Sequence, residues 1–214
     1  PDVDTFEFAR RVKAEHPGQP IVLIVFDGRW FDETYAGVEP AGIDWTFAWR
    51  GSANVLLSII KLVEDNLNLE TDLALANVGT ILVIEDEVAH YSVLLPHLYT
   101  MLMQRTFSLV PQGINEGERQ VRTRVRPKVL LARTFAAARL LFEKHRSSLV
   151  GVISDLRTFH EDRHDPQAGL RFLAEVVAQE PGLPVLVQSA EANVAEGAGR
   201  LGAVTVATNM AGRG

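Results

Sequence analysis

Four residues stand where they could do chemistry together: Glu85, Asp86, Asp155 and Ser189. Glu85 and Asp86 follow the short apolar run TILVI, which turns abruptly into the acidic stretch EDE. Such a run, with β-branched members, reads as a buried parallel strand. A second run, LVGVIS at residues 149–154, ends in Asp155. A third, at residues 184–187, ends in Gln188 and Ser189. Open α/β sheets bind their ligands at the carboxyl ends of their strands. Carboxylate oxygens gathered at such an edge suit a hard cation, and a carboxylate exposed at a strand end, as Asp155 would be, suits a phosphoryl group.

The elements that must position these residues alternate between strand and helix. Residues 80–84 are followed by a helix over 88–109, whose face includes Val88, Tyr91, Leu95 and Leu98. Pro96 is expected to interrupt or kink it. A polar segment at residues 111–126 is longer than most α/β connections. It carries Arg119, Arg122, Arg124 and Arg126, with Lys128 just beyond. These bases read either as a patch for an acidic partner or nucleic acid, or as a solvated loop balanced by Glu116 and Glu118. Strands are then expected at 128–132, 149–154, 185–187 and 203–207, with helices at 135–145, 168–179 and 192–200 and a polar loop over 155–167.

The first third reads helix (4–16), strand (21–26), short helix (31–36), strand (43–49) and helix (55–66). Two strands and three helices make a poor independent core. This part resembles the rear half of a doubly wound domain, expected either to dock on the rest or to belong to a longer domain. Arg50, at the end of 43–49, reads as a solvated strand-end cation. The fold class expected is α/β: a doubly wound parallel sheet with a partial second α/β unit at the N-terminus. The units expected are residues 1–70 and 79–214, the latter with its long 110–126 connection.

Composition narrows the function classes. A hydrophobic fraction of 47% over 214 residues suits helices layered on a sheet and argues against disorder. A net charge of -6 weakens a general nucleic-acid reading, whose phosphate contacts need a basic face. The absence of cysteine excludes disulfides and thiolate sites. No apolar run is long enough to span a bilayer, and an opening with Asp2 and Asp4 is unlike a signal peptide. A cytoplasmic protein with no membrane or nucleic-acid partner is expected. The start without Met and the stop at Gly214 suggest a fragment.

The order strand–Glu–Asp, strand, strand–Asp, strand–Ser, strand resembles the receiver domain of two-component response regulators. GSANVLLSIIKLVEDNLN, ILVIEDEVAHYSVLLPHLYT, RPKVLLARTFAAARLLFEKHR, VGVISDLRTF and DPQAGLRFLAEVVAQEPGLPVLVQSAE carry the likeness further. They are similar to tandem receiver-like regions ahead of phosphoenolpyruvate synthase-type, pyruvate/phosphate-binding regions. The resemblance implies a receiver (flavodoxin-like) fold with Asp155 as phosphoryl acceptor. Mg²⁺ would be held by Glu85, Asp86, Asp155 and the backbone carbonyl of Arg157. Ser189 would donate its hydroxyl to a phosphoryl oxygen and Ala190 its N–H. The implied partners are a histidine kinase or phosphotransfer protein and an attached or partner effector domain. The chain would be a regulatory module rather than a stand-alone enzyme.

Each residue also has a plainer reading. Asp155 and Ser189 suit turns or helix caps, and an acidic pair ahead of a helix suits the helix dipole. Receiver domains carry a lysine just after the fifth strand; the matching position here falls at or beside Thr208, and no lysine follows Lys144. A non-phosphorylated pseudo-receiver that serves as an interaction module is therefore the first alternative. The tail AGRLGAVTVATNMAGRG resembles a motor motif of the preprotein-translocase ATPase (SecA family), which adds a fragment of an ATP-using enzyme as the second. No G-x-x-x-x-G-K-[ST] loop accompanies it. His90 and His97 lack a third ligand nearby, the Asp162, His164 and Asp165 group reads as a solvated loop, and the Gly-rich residues 195–202 read as a helix end and turn.

Overall fold

The computed structural model describes residues 4–35, 38–108, 126–155, 159–160, 163–164, 168–189 and 204–207. The chain divides into two compact units. One comprises residues 1–64 and 86–101, the other residues 65–85 and 102–214.

The first unit is built on a parallel pair, β1 (Val22–Val25) and β2 (Trp45–Ala48), in register from Val22↔Trp45 to Val25↔Ala48. Helix α1 (Thr5–Glu15) precedes it, capped by Asp4, whose carboxylate accepts from the N–H groups of Phe6 and Glu7. Helix α2 (Gly28–Tyr35) lies between the strands in sequence, and α3 (Asn54–Ala76) follows them, contributing its residues up to Glu64 to this unit. The opening residues of α4 (Val88–Ser108) also belong here. Asp32 of α2 is buried and accepts the N–H of Val88 at 3.0 Å, capping α4 through tertiary structure. Ser92 Oγ accepts from the Ala48 N–H at 2.8 Å, and the Tyr91 hydroxyl donates to the Thr46 carbonyl. Gly28 permits the close packing of α2, since a Cβ there would lie 3.2 Å from the Ala89 nitrogen.

The second unit holds a five-stranded parallel sheet: β3 (Thr80–Ile84), β4 (Lys128–Ala132), β5 (Leu149–Asp155), β8 (Val185–Ser189) and β9 (Val204–Ala207). Their spatial order is β4-β3-β5-β8-β9. Numbered among themselves, these strands run 2-1-3-4-5, the flavodoxin-like doubly wound order, with its switch point between β3 and β5. Helices α5 (Phe135–His145) and α6 (Ala168–Gln179) flank the sheet and meet through Phe135, Phe142 and Phe172. Their apolar faces close on Leu82, Ile84, Leu130 and Val152, and Leu69 from α3 joins that core. Burying each such side chain contributes roughly 1.5–3 kcal/mol. A two-residue antiparallel hairpin, β6 (Phe159–His160) and β7 (Arg163–His164), lies within the stretch expected to be loop.

A bulge sets the alignment of β3 with β5. Thr80 pairs with Leu149 but Ile81 pairs with Gly151, so Val150 is passed over. Gly79 makes room for it: a Cβ there would meet Val150 Cγ1 at 2.5 Å. With that extra residue absorbed, Ile84 pairs with Ser154, and the residues after them, Glu85 and Asp155, emerge level.

Several expectations change. Pro96 does not interrupt α4, which is continuous from Val88 to Ser108. Helix α3 runs ten residues past the expected end at Asn66, to Ala76. Arg126 and Lys128 are neither a partner patch nor a solvated loop; both are buried. Arg126 grips Asp65 of α3 with two parallel bonds (2.9 and 2.6 Å), and Lys128 Nζ lies 2.6 Å from Asp72. The Val129 N–H also donates to Asp65 at 3.0 Å. Two acids and two bases thus neutralise one another and fix α3 to the amino end of β4. Arg119, Arg122, Arg124, Thr208, the expected 192–200 helix and nearly all of the ATNMAGRG tail lie outside the described residues.

His145, at the end of α5, is buried, and burial followed by the neighbouring Lys144 charge lowers its pKa, with Glu70 opposing. Lys144 pairs with Glu70 at 2.6 Å, and its hydrogen bond and charge hold that exposed carboxyl below its usual range.

Two predictions follow from this packing. Asp65→Ala strands Arg126 and should cost about 3–5 kcal/mol; a urea midpoint within error of wild type would show the network to be dispensable. For His145, whose folded pKa is depressed, the unfolded chain takes up the proton first. Stability should be unaffected by it well above pH 6.5 and fall as pH drops below that value. His145→Gln should flatten this acid limb in unfolding measured from pH 7.5 to 5, and an unchanged slope would assign the limb to other groups.

Candidate functional site

The carboxyl edge of the five-stranded sheet gathers three acids. Beyond Ile84, β3 delivers Glu85 and then Asp86; β5 ends in Asp155. The Glu85 N–H still donates to the Ala132 carbonyl at 3.0 Å, extending the β3–β4 ladder by one residue. One carboxylate oxygen from each of Glu85, Asp86 and Asp155 can be chosen so that all lie within 4.8 Å of one another. Hard cations are bound by oxygen ligands converging in this way.

The three differ in access. Glu85 and Asp86 are buried, with 3% and 0% of their surface exposed, whereas Asp155 is half-buried. A reagent arriving from solvent therefore reaches Asp155 first, while the buried pair suits a fixed ligand role.

The other expected site residues fall beside this cluster or outside what is described. Ser189 ends β8, paired with Ala207 of β9, and Asp155 pairs with Gln188; the backbone thus puts Ser189 at the same edge, one strand over. Arg157 and Ala190 lie outside the described residues. His90 is exposed and lies 3.3 Å from Glu87, and it is not part of the metal-ligand group found among the described residues. Asp162 and Asp165 are also outside the described residues, and His164 is described only as part of β7.

Comparison with known proteins gives limited company. No family model matches the chain, and no curated protein matches it. A solved structure similar in part is the non-phosphorylated HemR receiver domain from Leptospira biflexa. It is 22% identical, with a TM-score of 0.35, over 59% of this chain and 78% of that one. The likeness is distant and partial. The phosphoenolpyruvate synthase and translocase resemblances gain no counterpart from these comparisons.

The edge contains one residue that the sequence reading passed over. Arg133 directly follows β4, with 8% of its surface exposed. A base immediately after an apolar run, the pattern noted at Arg50, marks a strand-end position but does not tell a buried base from an exposed one.

If the three carboxylates form one cation site, a hard divalent ion should raise the unfolding midpoint of the purified chain. At 100 times its dissociation constant the gain is about 2.7 kcal/mol. Asp86→Asn should remove most of that ion-dependent shift. An equal shift in the variant would place the ion elsewhere.

Proposed function

We propose that this chain is a receiver-like regulatory module in which Asp155 accepts a phosphoryl group beside a Mg²⁺ ion held by Glu85, Asp86 and Asp155. The observation that carries this reading is the convergence of the three carboxylates at the carboxyl edge of a 2-1-3-4-5 parallel sheet. By the receiver resemblance, the backbone carbonyl of Arg157 would complete the protein ligands, and Ser189 would donate its hydroxyl to a phosphoryl oxygen. Bound Mg²⁺ would offset the charge on the phosphoryl oxygens.

The residues divide the work by access. A carboxylate oxygen of Asp155 attacks phosphorus and forms a new O–P bond. The bond from phosphorus to the donor breaks, and the leaving group departs with its electron pair. With acetyl phosphate that group is acetate; with a histidine donor it is the imidazole nitrogen. Glu85 and Asp86, sealed from solvent, keep their oxygens in place throughout.

The donor on this reading is a histidine kinase or phosphotransfer protein, in the cytoplasm, and the reader is an attached or partner effector domain. The segments similar to tandem receiver-like regions suggest a synthase-type region as that effector. Among the described residues no helix is long and apolar enough to cross a membrane. The absence of any lysine beyond Lys144 favours a second reading, a pseudo-receiver that is folded but not phosphorylated.

Acetyl phosphate with Mg²⁺ should add one phosphoryl group to the purified chain, seen by intact mass, and Asp155→Asn should abolish it. A folded chain that takes no label would establish the pseudo-receiver. Label surviving in Asp155→Asn would displace the acceptor.

A further inference from the structure

Three buried lysine or arginine side chains occur among the described residues: Arg126, Lys128 and Arg133. The first two are committed to Asp65 and Asp72 at the amino end of β4. Arg133 stands at the opposite end of the same strand, one residue beyond Ala132. Ile84 pairs with Ala132 on one side and with Ser154 on the other. The order along the edge is therefore Arg133, then Glu85, then Asp155, on strands spaced by about 4.8 Å.

Burial gives this order its meaning. A guanidinium stays charged at any ordinary pH and is buried only when acidic or carbonyl oxygens surround it. Glu85 and Asp86 are buried too, and two buried carboxylates beside a third carry a large desolvation cost unless positive charge lies near. A permanent cation at the end of the neighbouring strand answers both requirements.

We propose that Arg133 is the resident counter-cation of the Glu85–Asp86–Asp155 cluster: it holds the acidic edge together without metal and sets how tightly a divalent ion binds. This deepens the phosphoryl-acceptor reading and rests on it only for the labelling step below. Arg133 is a positioning residue here. A fixed unit charge repels an incoming divalent ion, so metal affinity is lower than three carboxylates alone would give. Once Asp155 carries a phosphoryl group, the same charge lies on the side of the cluster away from β8 and offsets the added negative charge.

The test separates this role from simple packing. In Arg133→Gln, Mg²⁺ should bind roughly five- to tenfold more tightly, the factor implied by one unit charge acting on a divalent ion through water-like screening. Labelling by acetyl phosphate at saturating Mg²⁺ should nonetheless slow by roughly tenfold or more. Arg133→Lys should restore both toward wild type. A loss of affinity and labelling together, or no rescue by lysine, would reduce Arg133 to a packing residue.

A metal-free arm keeps the question open to decision if the acceptor reading fails. Urea midpoints of Arg133→Gln, Glu85→Gln and the double variant should be non-additive, because removing Glu85 relieves more repulsion once Arg133 is gone. Additive midpoints would overturn the pairing. If wild type takes no label while the metal-binding and urea results hold, the acceptor assignment falls and the counter-cation stands.

Discussion

The structure depends on the register of β3 with its two neighbours. Ile84 lies opposite Ala132 in β4 and opposite Ser154 in β5, so the chain leaves the sheet at one level in all three strands. A shift of one residue in a parallel ladder moves each side chain to the other face. The passed-over Val150, with Gly79 making room for it, supplies the one-residue correction that brings Asp155 level with Glu85. The acidic edge is thus a consequence of a bulge at the amino end of the strand, where Val150 lies five residues before Asp155.

Strand β4 carries charge at both ends, and the two ends do different things. At its amino end, Arg126 and Lys128 meet Asp65 and Asp72 in a closed network with no net charge. Each member satisfies another, which anchors α3 and leaves nothing to offer a ligand. At its carboxyl end the buried Arg133 follows the last strand residue, at the edge where Glu85, Asp86 and Asp155 gather. Carboxylate oxygens converging in a partly sealed place suit a hard cation.

Access then sorts the acids. Asp86 and Glu85 are withdrawn from water, while Asp155, as the last residue of β5, keeps part of its surface. On the proposed reading, a shared carboxylate chemistry would thereby separate into holding and reacting roles with no difference in side-chain type beyond one methylene.

The sequence by itself determined the strands of the five-stranded sheet, though not the short hairpin at residues 159–164. Short apolar runs such as TILVI and KVLLA read as buried strands, and each ends where an acid or base begins. Helices α5 and α6 were legible to the residue, because Thr134 caps one and Pro181-Gly182 stops the other. The acids at 85, 86 and 155 could be picked out for the same reason: a charge directly after a buried strand has only the edge to occupy. Tertiary structure alone decided what the bases do. Arg126, Lys128 and Arg133 are alike in sequence, flanking one strand within eight residues. The roles of Arg126 and Lys128 were set by partners far away in the chain, Asp65 sixty-one residues from Arg126 and Asp72 on the same helix. Ion pairing acts through space and favours burial only where opposite charge is already fixed, so no local pattern could tell a buried base from a solvated one.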